Sequence, residues 1–168
     1  MKITVLYAKP KMRFPVFSWL IRLAEGTHGS HVAILICFES DTSVVFESVS
    51  PKSRIISDKR WNDHYETLKE WDFAITEEQI KPSLLWVADN TDKDYSRFQC
   101  LLIGIAELCG GWVKTLVRKQ NPNGSEYLIC VEAASRFATQ FLGLKFSSPP
   151  DVLGLKEFID TLDQYKEK

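Results

Sequence analysis

Cys130, His31 and Glu47 are the residues of this 168-residue chain whose types could combine into nucleophilic chemistry. Cys130 follows the apolar lead-in Tyr127-Leu128-Ile129 and opens a helical segment, Cys-Val-Glu-Ala-Ala-Ser-Arg-Phe. A cysteine at a helix N-terminus meets the positive end of the helix dipole and unpaired backbone amides, a setting that favours a thiolate. The same amides can receive the oxyanion formed when a thiolate attacks a carbonyl. Cys130 also heads the apolar stripe Ala133, Ala134, Phe137, Ala138 and Phe141. A cysteine on such a face is often no more than a small hydrophobe, so this helix alone leaves both readings open.

A thiolate enzyme also needs a base that a third group orients. Of the three histidines, His28 sits in the turn Gly26-Thr27-His28-Gly29 and His64 in the polar stretch Trp61-Asn62-Asp63-His64, and both are expected in solvent. His31 differs, because it begins an apolar strand on the same face as Ala33, Leu35 and Cys37. There it could make a structural hydrogen bond or serve as a base. Glu47 lies inside the run Val44-Val45-Phe46-Glu47-Ser48-Val49, where an unpaired carboxylate is costly. It either reaches solvent from an edge strand or orients the histidine. The second role makes a geometric demand: in an antiparallel hairpin the two side chains share a face only if paired residue numbers sum to an even value. That condition places Glu47 opposite or diagonal to His31 and implies a turn with an odd number of residues.

The remaining thiols, Cys37, Cys100 and Cys109, fall within an apolar strand and a helical segment and read as core residues. No two cysteines have the close spacing of a metal knuckle. The N-terminus lacks the long apolar stretch of a secretory leader, so all four are expected to be reduced.

The elements that must position these residues follow from periodicity. Strands are expected at 2–8, 30–38, 43–49, 54–56 and 65–75, and a helix at 14–24, opened by Pro15, closed by Gly26 and packed on the sheet. The first half thus reads as a helix followed by an antiparallel meander. Thr76-Glu77-Glu78-Gln79 has the form of a capping box and opens a helix to about residue 88, with Pro82 expected to kink or shorten it. Further helices are expected at 95–109, 129–142 and, from Pro149-Pro150-Asp151, to about 165. The stretch 112–126 carries the loop Asn121-Pro122-Asn123-Gly124 and, lying just ahead of Cys130, could form a lid or specificity loop. Strands followed by helices indicate an α+β fold, and the length suits one domain spanning 1–168.

Composition narrows the function. Hydrophobic residues at 45% and aromatics at 12% describe a folded chain rather than a disordered one. Lys and Arg (21) nearly balance Asp and Glu (22), which points away from nucleic acid as a partner. No apolar run reaches the roughly 18 residues that would span a bilayer.

Three local patterns, Ser30-His31-Val32-Ala33-Ile34, Phe46-Glu47-Ser48 and Tyr127-Leu128-Ile129-Cys130-Val131-Glu132, occur in an order that resembles the circularly permuted branch of the NlpC/P60 papain-like superfamily. That branch holds the YiiX-like and lecithin:retinol acyltransferase-like proteins, in which the histidine strand precedes the cysteine helix. The apolar segment 17–23 is similar to the family's lead-in, and Pro149-Pro150-Asp151-Val152-Leu153 resembles its Pro-x-Asp-Leu element. The resemblance implies a permuted papain-like domain, an antiparallel sheet packed against helices. It implies Cys130 as nucleophile, His31 as general base and acid, and Glu47 as the group orienting the imidazole. No metal or organic cofactor is needed. Relatives often carry serine where this chain has Val131, and Tyr7 is the candidate for a second oxyanion donor.

The expected activity is that of a cysteine hydrolase acting on an amide bond, a peptidase or amidase, with cell-wall peptide as one substrate. The alternatives are thiol acyltransfer or hydrolysis of a lipid or other ester on the same fold, and a catalytically silent module that binds a host or virion protein. The expected location is cytoplasmic, in a bacterium or encoded by a phage, and virion-associated in the latter case.

Overall fold

The computed structural model describes residues 1–11, 16–39, 42–109 and 127–166. Five strands form one antiparallel sheet: β1 (Lys2–Pro10), β2 (His31–Cys37), β3 (Ser43–Glu47), β4 (Arg54–Ser57) and β5 (Tyr65–Ala74), in the order β4-β3-β2-β1-β5. Helices α1 (Val16–Glu25), α2 (Asp58–His64), α3 (Glu77–Asp89), α4 (Arg97–Cys109), α5 (Cys130–Phe141) and α6 (Leu155–Lys166) surround it. The architecture is α+β, as the succession of strands and then helices indicates.

β2 is central and apolar on both faces, and its alternation sorts the interior into two layers. Val32, Ile34 and Ile36 face α5, whose small residues Ala133, Ala134 and Ala138 let the helix lie close to the sheet, with Phe137 and Phe141 filling the far end. Ala33 and Leu35 face the other way, onto Leu6, Ala8, Val45, Ile56, Trp61 and Tyr65. Every residue of the α5 stripe read from the sequence is buried.

The sheet is not a simple meander. β2, β3 and β4 follow one another, but β5 pairs with β1 at the opposite edge. The chain crosses because Ser57 ends β4 and at once caps α2, its side chain accepting from the Arg60 amide at 3.2 Å. Trp61, fully buried, fastens that helix to the sheet face. A seven-residue helix with one apolar residue has no periodicity to read, so Trp61–His64 looks like polar loop in the sequence. His64 and His28 are exposed, as expected of both.

Two helices depart from expectation. α1 packs chiefly against α4 rather than on the sheet, and Val16, Trp19, Leu20 and Leu23 remain exposed. α3 runs 13 residues with Pro82 inside it, so the proline does not shorten the helix. Its start is secured by the Thr76 amide donating to Gln79 Oε1 at 3.0 Å. At the C-terminal end, Pro150–Val152 forms a 3-10 turn and α6 begins only at Leu155, after the extended Leu153. Residues 112–126, with their expected lid, lie outside the described residues, as does Pro15. No described helix is long and apolar enough to cross a membrane.

Candidate functional site

The hairpin register brings two of the candidate residues together. Ile34 pairs with Phe46 and Leu35 with Val45, so paired numbers sum to 80, an even value, and five residues (38–42) connect the strands. Continued by one step, this register sets Glu47 against Ala33 and diagonal to His31. The side chains close the diagonal: His31 Nε2 and Glu47 Oε2 are 2.9 Å apart, and both residues are buried.

Cys130 reaches the same point from the opposite layer. It is the first residue of α5, whose N-cap, Ile129, offers no side-chain acceptor to the amides of the first turn. Its neighbours Val5, Tyr7 and Val32 lie on the α5 side of the sheet, whereas His31 and Glu47 lie with Ala33 on the other. The thiol and imidazole meet at the end of β2, where Cys130 is among the groups that act on the His31 ring. With Nε2 engaged by Glu47, Nδ1 is the ring nitrogen left for sulfur. His31 therefore links thiol and carboxylate in one chain of contacts.

Several residues that the sequence reading did not single out hold this chain in place. Arg54, paired with Glu47 across β3 and β4, donates from Nε to Glu47 Oε1 at 2.8 Å and adds a second contact at 2.7 Å. The carboxylate thus has one oxygen for the histidine and one for the arginine. Trp61 and Tyr65 stack on the imidazole, with centroids 5.6 and 4.9 Å away and ring planes within 28° and 23° of parallel. The Tyr65 phenol lies close enough to Glu47 to feel its charge. The legible signal here is the cost of an unpaired carboxylate within an apolar strand, which calls for a partner without naming Arg54.

Electrostatics follow from that packing. Burial is the largest influence on His31 and disfavours its charged form, but hydrogen bonds to and charges on Cys130 and Glu47 outweigh it and raise the imidazole pKa to about 9. Burial likewise pushes the Glu47 carboxyl upward, and His31 and Arg54 more than offset it, bringing the pKa down to about 2. Burial and the Glu47 charge raise the Tyr65 phenol well above its usual range, which keeps its proton available for donation.

A second cluster adjoins the thiol. The Tyr95 hydroxyl donates to Cys100 Sγ at 3.6 Å, and Tyr95 lies within the electrostatic reach of Cys130. Burial, then the nearby Cys130 charge, pushes the Cys100 thiol up. Cys100 and Cys37 are half-buried free thiols, and the Cys109 side chain lies outside the described residues. Next to Cys130, Glu132 is fully buried and bound by Arg136 at 2.8 Å and Gln99 at 3.3 Å. Burial nonetheless shifts its carboxyl upward. Tyr7, the candidate oxyanion donor, accepts a hydrogen bond from the Gly29 amide through its hydroxyl oxygen.

The chain matches no protein-family model and no curated protein.

A cleft of about 410 Å³ opens onto His31. Eight of its 12 described lining residues carry polar side chains, including Ser18, Ser30, Ser48, Ser50 and Tyr95, while Pro10, Val16, Ile21 and Val49 are apolar. Cys130 does not line it and is only 3% exposed. The sulfur instead borders a water-sized void of about 10 Å³ that shares two wall residues, Ile21 and Ser30, with the cleft. Ile21 and Ser30 therefore stand between the open cleft and the thiol.

Proposed function

We propose that this protein is a cysteine hydrolase of the permuted NlpC/P60-like, papain-like type, cleaving an amide bond with Cys130, His31 and Glu47. The observation that carries the reading is the single imidazole engaged by a thiol at a helix start and by a buried carboxylate. Each requirement of thiol catalysis has a residue: a nucleophile, a base and acid, and an orienting group.

The steps follow from this arrangement. His31 holds the proton of the Cys130 thiol, and the sulfur attacks the substrate carbonyl. The carbonyl oxygen becomes an oxyanion facing the first-turn amides of α5. The imidazolium then gives its proton to the leaving amine as the carbon–nitrogen bond breaks, leaving an acyl thioester on Cys130. Water, deprotonated by His31, resolves the thioester and restores the thiol. Glu47 fixes the ring orientation throughout and stabilises the charged imidazole, while Arg54 keeps the carboxylate ionised. The polar side chains of the cleft suit an extended peptide, with cell-wall peptide as one such substrate.

One observation favours a second reading, acyl-ester or lipid chemistry on the same residues. α1 lines the cleft with Val16 and Ile21 and turns Trp19, Leu20 and Leu23 outward, a surface suited to an acyl chain. A library of peptide amides and acyl esters, assayed with wild type and Cys130→Ala, tests both. Turnover of amides lost in Cys130→Ala supports the first, turnover of esters alone supports the second, and no Cys130-dependent turnover overturns both.

A further inference from the structure

The cleft leading to His31 carries a permanent positive charge on its wall. Arg97, the first residue of α4, lines it together with Ser50, and no Asp or Glu is among the described lining residues. Among the described residues, two other arginines near the site are committed, Arg54 to Glu47 and Arg136 to Glu132. Arg97 makes no ion pair with any described residue. Its Nε donates to Ser50 Oγ at 2.9 Å, which orients the guanidinium of an exposed side chain that lines the cleft. The Ser50 hydroxyl, having accepted from Arg97, retains its own proton to donate.

We propose that Arg97 and Ser50 form a carboxylate subsite, so that the cleft selects acyl substrates bearing a carboxylate near the bond presented to Cys130. The planar fork of a guanidinium matches two carboxylate oxygens, and a charge-assisted pair in a concave wall is stronger than one on open surface. One uncommitted guanidinium fits one negative charge. In a peptide substrate that charge is a terminal carboxylate or an acidic side chain adjoining the scissile amide. The proposal rests on the thiol-hydrolase reading, and its test separates the two.

The probes are bromoacetyl-glycine and bromoacetyl-glycinamide, which differ only in the terminal charge. In both, the Cys130 sulfur bonds to the methylene carbon as bromide leaves. The readout is the ratio of Cys130 alkylation rates, acid over amide, at fixed ionic strength, with modification sites assigned by peptide mass. Arg97→Gln is expected to lower that ratio about tenfold, the scale of one charge-assisted hydrogen bond. Arg97→Lys is expected to recover part of it, and raising the salt to lower it in wild type. If Cys130 reacts with the neutral probe faster than Cys37 and Cys100 do, yet Arg97→Gln leaves the ratio unchanged, the subsite is wrong and the nucleophile stands. If Cys130 reacts with neither probe faster than those thiols, the nucleophile is wrong and the subsite falls with it.

Discussion

Glu47 and His31 stand diagonal to each other across β2 and β3, and a 2.9 Å contact from Nε2 to Oε2 joins them inside the protein. Neither member of such a pair is well placed alone, since each is buried and depends on the other for its charge. The pair, with Arg54 behind it and Cys130 in front, couples a raised imidazole pKa to a lowered carboxyl pKa.

The pH dependence has a definite sign. A histidine raised from 6.5 to about 9 stabilises the fold fully below 6.5, and that contribution is lost as pH climbs through 9. A carboxyl lowered from 4.5 to about 2 stabilises it above 4.5, and that contribution is lost as pH falls through 2. Unfolding free energy should therefore peak between about 4.5 and 6.5 as far as this pair is concerned. In Glu47→Gln the acid limb should flatten, and the His31 titration seen by NMR should move to lower pH. Superimposable denaturation profiles for wild type and Glu47→Gln would show that the pair contributes nothing.

Arg54 tests whether the carboxylate needs its second partner. Arg54→Ala leaves one oxygen of a fully buried carboxylate to His31 alone. The expected loss is roughly 1–3 kcal/mol of stability, held below the value for a buried pair because Arg54 is itself about one-third exposed. The Glu47 pKa should rise. Chemical denaturation measures the first effect and carboxyl NMR titration the second.

The aromatic wall behind the histidine should be costly to remove. Trp61 is fully buried and stacks on both His31 and Tyr65. Trp61→Ala is expected to cost about 3–5 kcal/mol through the cavity it leaves. Tyr65→Phe keeps the ring stack and removes only the hydroxyl facing Glu47, so it should cost much less. Equal losses in the two variants would contradict this assignment of roles.

Much of this site is legible in the sequence because it lies on two strands joined by a short connection. His31 and Glu47 each stand at the end of a strongly apolar run, and the even register follows from pairing those runs. Arg54, Trp61 and Tyr65 are harder to read, since their importance comes from α2 carrying the chain over one sheet face from edge strand β4 to edge strand β5. That crossing depends on tertiary packing, and α2 has too little apolar content to show itself. The same limit applies to α1. A helix with apolar residues almost all round looks made for a sheet, yet α1 lies against α4 at the mouth of the cleft.

Ile21 is the residue by which α1 controls access. It lines both the cleft and the small void at Cys130, so trimming it should connect them. Ile21→Ala is expected to raise the alkylation rate of Cys130 several-fold without moving the His31 titration. A rate unchanged from wild type would mean that access is set elsewhere.

If His31 activates Cys130 as proposed, thiol-selective alkylation at pH 6 reads that activation at the sulfur itself. Ordinary thiols are protonated and slow at that pH, whereas a thiol whose proton an imidazole holds reacts quickly. Wild-type Cys130 should be modified far faster than Cys37, Cys100 or Cys109, and His31→Ala should remove that advantage. Four thiols reacting alike, or a Cys130 rate untouched by His31→Ala, would contradict the account and leave a binding module as the better description.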